Sequence, residues 1–175
     1  MNLPNALTAL RMALIPLFVW AFYQVGPGVA LVIYLLAAAT DWLDGFLARR
    51  WNQVTSFGKL ADPLADKLML LTMLFCMGQS GRVPWWVLGV MLGKELLMVI
   101  GSVFLLKRHN VVVMANWLGK TATVAFILAV VAVFPWHEWN MLYQTGLILM
   151  YMATGLSLAS MVVYAMSYIG ASRVK

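Results

Sequence analysis

Apolar residues fall into six runs, each near the length that carries a helix across a bilayer, about 20 residues at a rise of about 1.5 Å per residue. They extend from Leu7 to Tyr23, Val29 to Ala48, Lys59 to Met77, Pro84 to Leu106, Trp117 to Phe134 and Met141 to Ile169. Between them lie Gly26-Pro27-Gly28, the stretch from Asn52 to Ser56, Gly78 to Val83, Lys107 to Asn110, and Pro135 to Asn140, each turn-rich or charged. The last run exceeds one crossing and is expected to tilt or to continue out of the membrane. With 63% hydrophobic and 10% charged residues in 175, and a mean hydropathy of +0.87, ionic groups are too few to cover a soluble surface. The expected architecture is all-α, an integral membrane protein of six transmembrane helices forming a single domain over residues 1–175. The opening Met1-Asn2-Leu3-Pro4-Asn5 lacks a basic n-region and a small-residue cleavage site, so the N-terminus is expected to be retained. Cys76, the lone cysteine, reads as a small core residue.

Basic residues give the orientation, because cytoplasmic loops collect Lys and Arg. One side carries Arg11, Arg49, Arg50, Lys59, Lys107, Arg108, Lys120, Arg173 and Lys175, and the other only Arg82. Both termini are expected in the cytoplasm of a multi-pass cell-membrane protein. Trp85, Trp86, Trp136 and Trp139 then lie at the opposite ends of the runs, where interfacial aromatic anchors belong. The net charge of +6 matches this bias and an attraction to anionic membrane lipids; no nucleic-acid module is visible.

Every aspartate falls within one 26-residue window: Asp41, Asp44, Asp62 and Asp66. Among long apolar segments an ionised carboxylate costs several kcal/mol unless it is partnered, so four together imply bound cations and a working site. Asp41 and Asp44 are three apart near the end of the second run, and Asp62 and Asp66 four apart near the start of the third, so each pair shares a helix face. Four converging carboxylates suit hard divalent cations, Mg²⁺ or Mn²⁺, better than Zn²⁺, since no Cys or His lies nearby. Gly45 and Gly58 remove side chains where backbone must approach a ligand, Ala48 keeps the groove shallow, and Arg49 adds a fixed cation. A metal-bound pyrophosphate fits such a pocket. Gly45 and Ala48 also read as small residues that allow close helix packing.

The spacing D-x2-D-G-x2-A-R-x8-G-x3-D-x3-D, filled by Asp41, Asp44, Gly45, Ala48, Arg49, Gly58, Asp62 and Asp66, resembles the signature of the CDP-alcohol phosphotransferases at every fixed position. The stretch from Leu3 to Arg11 and that from Asp41 to Lys67 resemble the family's bacterial phosphatidylglycerophosphate-forming branch, and Trp117-Leu118-Gly119-Lys120 looks like a later family segment. The resemblance implies the six-helix CDP-alcohol phosphotransferase fold, a homodimer, and a catalytic cavity open to the cytoplasm with two metal ions. In it Asp41 and Asp62 bridge both ions, Asp44 holds one and Asp66 the other. Asp66 is also the implied base, taking the proton of an acceptor hydroxyl as it attacks the lipid-linked phosphorus of CDP-diacylglycerol and releases CMP. Gly45, Arg49 and Thr55 are placed against the CDP moiety, with Asn5 and Thr8 at the entrance.

The acceptor implied is glycerol 3-phosphate, which calls for cations: Lys59, Lys67, Lys94, Lys107, Arg108 and, first among them, Lys120. The branch usually opens its fourth helix with Arg-Glu, where this chain has Lys94-Glu95, a point charge replacing a bidentate fork. Lys94 and Glu95 read equally as an internal charge network, and Lys107 and Arg108 as a membrane boundary. Phosphatidylglycerol, the acceptor of a cardiolipin-forming enzyme of the same fold, is the close alternative. A divalent-cation transporter is a remote one, since intramembrane acids mark ion pathways, but such acids spread through the membrane depth and here they bunch.

Overall fold

The computed structural model describes residues 3–51, 56–109, 117–134 and 140–173, and the side chains within 6–40, 64–101, 117–134 and 141–166 together with those of 43 and 61. Among the described residues six helices follow one another: α1 Leu3–Gln24, α2 Pro27–Trp51, α3 Ser56–Gln79, α4 Trp85–His109, α5 Trp117–Val133 and α6 Asn140–Arg173. Each falls on one of the six apolar runs and is helical beyond it at one end or both, except α5, which stops one residue short of Phe134. The chain divides into two compact units, Met1–Arg82 and Val83–Lys175.

Large apolar side chains face outward: Leu10, Leu17, Trp20 and Leu36 in the first unit, Ile100 and Met166 in the second, are all exposed. Hydrocarbon surroundings require that, and the chain is a membrane protein. Two segments, Ala6–Gln24 and Met141–Met166, are long and apolar enough by themselves to cross a bilayer. Within the described side chains, Pro27–Thr40 and Trp117–Val133 are further apolar stretches. Among the described residues the six expected spans are matched as helices, two of them long and apolar enough to cross by themselves.

In the first unit α1 packs on both α2 and α3, and α2 touches α3. Gly26, at φ 132°, turns the chain between α1 and α2, with its N–H donating to Ala21 O at 2.8 Å and its carbonyl accepting from Ala30. Pro27 follows as the first helical residue, where its missing N–H costs nothing. At the end of α3 the Arg82 N–H donates to Met77 O at 2.9 Å and Gly81 takes φ 71°, a Schellman closure that uses the left-handed conformation glycine allows. Arg82 lies 5.9 Å from the ring centroid of Phe22, and the Tyr23 and Cys76 side chains are hydrogen-bonded to each other. The C-terminal ends of α1 and α3 therefore lie together, the two helices run parallel, and α2 returns antiparallel to both.

In the second unit α5 and α6 form a close pair. Ala122, Phe126, Ala129, Val130 and Val133 are buried on α5, and Gly146, Met150, Ala153 and Ser157 share a buried stripe on α6. Gly146 is where the backbones meet: a Cβ there would stand 2.6 Å from Val133 Cγ2, 2.9 Å from Val133 N and 3.0 Å from Ala132 C. Two of those atoms are backbone, so the helices themselves would have to separate. α4 also touches α6, and the Trp86 and Tyr151 rings pack at 5.1 Å between centroids.

Gly146→Ala is expected to destabilise the detergent-solubilised protein by about 1–3 kcal/mol, the usual cost of overpacking. Gly155→Ala, where a Cβ meets nothing within 4 Å, should leave the melting temperature unchanged or slightly raised. Thermal melts of the two variants beside the parent check this.

Candidate active site

Two helices of the first unit hold the acids. Asp41 and Asp44 sit on α2, ten and seven residues before its end, and Asp62 and Asp66 on α3, six and ten residues after its start. The turns they occupy share one depth. The Tyr23–Cys76 hydrogen bond sets α1 and α3 in register with an offset of 53 positions, and the turn at Gly26 pairs α1 with α2 so that Ala21 stands level with Ala30 and Phe18 with Ile33, all four buried. Extended toward the N-terminus of α1, these registers put Arg11 level with Thr40 on α2 and with Leu64 on α3, and Thr8 level with Leu43 and Ala61. Both acid pairs lie in or beside that band, within about one helical turn.

Asp66 is the member of the quartet whose side chain is described. Its carboxylate is half exposed, with Lys67 Nζ 3.5 Å from Oδ2, a solvent-screened pair of small energetic weight. Tyr34, buried on α2, is close enough to interact electrostatically with Asp66. Leu64, between the α3 acids, is exposed, whereas Ala61 and Ala65 are buried. Each α3 acid thus follows a buried alanine, at a position where a larger side chain would fill the space between helices. The donor set consists of oxygens alone, from turns at one level of one unit, and it fits a hard divalent cation. Among the described residues no three His, Cys, Asp or Glu side chains gather, the side chains of Asp41, Asp44 and Asp62 being outside them.

The remaining sequence candidates divide by location. Gly45, Ala48 and Arg49 belong to the last turns of α2, Gly58 and Lys59 to the first turn of α3, Asn5 to the first turn of α1, and Lys107 and Arg108 to the last turn of α4. Their side chains lie outside the described residues, as does Thr55 altogether. Thr8 is buried at 1% exposure, inside the first unit. Lys94 in α4 donates to Glu95 Oε1 at 2.7 Å, with the two side chains 12% and 11% exposed, so a largely buried partner already balances its charge. Lys120 is exposed on the first turn of α5, its Nζ 5.3 Å from the centroid of the Trp117 ring, a cation–π contact three residues back along the helix.

Two side chains escaped the sequence reading. Arg11, counted among the cytoplasmic-side cations, is 1% exposed and heads the largest fully buried side chains. Tyr34, within the apolar run from Val29 to Ala48, is the other. The available signal for Arg11 was periodicity: Thr8, Arg11, Ile15, Phe18 and Phe22 recur at three- and four-residue steps, and that stripe faces inward while Leu10, Leu17 and Trp20 face out.

Comparison with known proteins adds the family. Residues 1–169 match the family described as CDP-alcohol phosphatidyltransferase. A protein of Yersinia enterocolitica named CDP-diacylglycerol--glycerol-3-phosphate 3-phosphatidyltransferase is 37% identical over 173 residues, covering 94% of this chain and 93% of that protein. Proteins of the same name from Sodalis glossinidius, 36% identical over 94% of this chain and 93% of their own length, and from Pectobacterium atrosepticum, 37% identical over 93% and 92%, are similar to the same extent. Matched along nearly its whole length, with the acid spacing carried on two adjacent helices, the chain belongs to the CDP-alcohol phosphatidyltransferase family of enzymes.

Proposed function

We propose that this enzyme moves the phosphatidyl group of CDP-diacylglycerol onto glycerol 3-phosphate, releasing CMP and forming phosphatidylglycerophosphate. The observation that carries the reading is the match over more than nine-tenths of both chains to relatives named for that transfer. The acid turns at one depth of α2 and α3 support it. Six membrane crossings, cytoplasmic termini, a site facing the cytoplasm, and a homodimer belong to the same proposal.

Asp41, Asp44, Asp62 and Asp66 would hold two Mg²⁺ or Mn²⁺ ions, which would offset the charge of the pyrophosphate and of the departing phosphate. Gly45, Ala48 and Gly58 leave space for the CDP group, Arg49 and Thr55 offer it a cation and a hydroxyl, and Asn5 and Thr8 lie on the neighbouring helix. Asp66 accepts the acceptor hydroxyl proton as that oxygen forms its bond to the diacylglycerol-linked phosphorus; the bond from that phosphorus to the bridging oxygen breaks, and CMP carries the oxygen away. Its half-exposed carboxylate suits a group that must meet a water-soluble acceptor. Lys120, with an exposed amine, is the first candidate for the acceptor phosphate, and Lys59, Lys67, Lys107 and Arg108 are further ones. Lys94, held by Glu95, ranks behind them.

Purified protein given labelled CDP-diacylglycerol and Mg²⁺ should release CMP with glycerol 3-phosphate; release with phosphatidylglycerol alone would make it a cardiolipin-forming enzyme, and divalent-cation flux in sealed vesicles without CMP chemistry would make it a transporter. Asp66→Asn is expected to lower turnover by at least about 10²-fold, the scale of lost general base catalysis, while CDP-diacylglycerol still binds. Unchanged turnover would remove Asp66 from the role. Lys120→Ala should raise the KM for glycerol 3-phosphate about tenfold or more, equivalent to about 1.4 kcal/mol, with little change for CDP-diacylglycerol. Equal loss for both substrates places that lysine elsewhere.

A further inference from the structure

We propose that Arg11 is a positioning residue, a resident cation on α1 that balances the acidic turns of α2 and α3 and holds them together in the metal-free protein. The inference rests on the reading of those turns as the active site.

Burial supplies the first observation. Arg11 is 1% exposed, in the inward stripe of a helix whose opposite face presents Leu10, Leu17 and Trp20 to the surroundings. A guanidinium withdrawn from water costs several kcal/mol unless an anion compensates it, and in an apolar setting that cost is not relieved by screening. The choice of anion is narrow. The acidic residues of the first unit, Met1–Arg82, are Asp41, Asp44, Asp62 and Asp66; the chain's other acids, Glu95 and Glu138, belong to the second.

Depth supplies the second. Arg11 lies 12 residues before Tyr23, and Leu64 lies 12 before Cys76, so the Tyr23–Cys76 hydrogen bond places Arg11 midway between Asp62 and Asp66 along parallel helices. Counting back through the Gly26 turn places it level with Thr40, beside Asp41. These registers are independent, and they agree. Side chains on a helix lean toward its N-terminus, which carries the guanidinium from the level of Arg11 toward that of Thr8, level with Leu43 beside Asp44 and with Ala61 beside Asp62. Ala61 and Ala65, both buried, leave room on α3 for a long side chain from α1.

Other cations near the acids are differently placed. Lys67 is half exposed and screened, and Arg82 sits over Phe22 at the far end of the unit. Arg11 alone among the described cations of this unit is both interior and level with the acids. Four carboxylates at one depth repel one another, and a fixed guanidinium among them offsets part of that repulsion. Lysine in its position keeps the charge and loses the fork.

The test is charge rescue, read without metal. Arg11→Met, Arg11→Lys, and Arg11→Met combined singly with Asp41→Asn, Asp44→Asn, Asp62→Asn or Asp66→Asn are purified in detergent with a chelator, and yield of monodisperse protein and melting temperature are recorded. Arg11→Met is expected to lose most of its folded yield, or more than about 5 °C of melting temperature; Arg11→Lys should lose less, and at least one double variant should recover half or more of the Arg11→Met deficit. A role in filling space alone would not respond to removal of a negative charge from a neighbouring helix. Parent-like behaviour of Arg11→Met, or recovery in none of the four doubles, overturns the proposal. Titration of the parent protein with Mn²⁺ by calorimetry is run alongside; absence of Mn²⁺ uptake would sink the metal reading of the acids and leave the rescue result to judge Arg11 by itself.

Discussion

Charge in apolar surroundings must be balanced, and that requirement organises the first unit. All of this chain's aspartates sit on α2 and α3, and the helix packed against both carries an arginine withdrawn from solvent. Each of these groups is unfavourable alone in a low-dielectric setting. Together they account for one another. The parallel course of α1 and α3 and the return of α2 bring the charged turns to one depth, leaving the opposite end of the unit to Phe18, Phe22 and the Arg82 contact.

The packing that fixes this depth is made of small contacts. Gly26 and Gly81 close the ends of α1 and α3, and the Tyr23–Cys76 bond ties those ends together. In the second unit Gly146 lets α5 and α6 approach until the backbone of α5 touches the place a side chain would occupy. Without a hydrophobic drive between helices in lipid, such close approach and a few polar contacts carry association. Thr154, buried on α6, shows the accompanying economy: its hydroxyl donates to Met150 O at 2.8 Å within its own helix and presents only a methyl outward.

Helix positions were legible in the sequence because hydropathy and turn residues report length and breaks directly. The run from Val29 to Ala48 became α2, and Gly26-Pro27-Gly28 became its start. The acid spacing, too, could be placed on two neighbouring helices by counting. Direction around a helix was not legible in the same way, since a membrane helix with apolar residues on every face gives little contrast between inside and outside. Arg11 therefore looked like a boundary charge at the cytoplasmic end of a span, and only the packing of Thr8 and Phe18 on the same stripe shows it to be interior. Pairing was equally hidden. The adjacency of Lys94 and Glu95 allowed either a ligand-seeking lysine or an internal pair, and their 2.7 Å contact at low exposure is a property of how α4 is buried.

That contact bears on how a phosphorylated acceptor is recognised. A lysine held by a carboxylate offers a dianion little net attraction, because the pair is close to neutral at the distance of a third group. Lys120 differs: its amine is exposed, and among the described residues it lies over the ring face of Trp117. A flexible point charge at the surface suits a small solute arriving from water, which needs attraction and permits exchange, whereas a rigid internal fork suits anions that never leave. On the proposed reading the two cations of this chain divide along that line, with Arg11 serving the fixed acids and Lys120 the mobile phosphate.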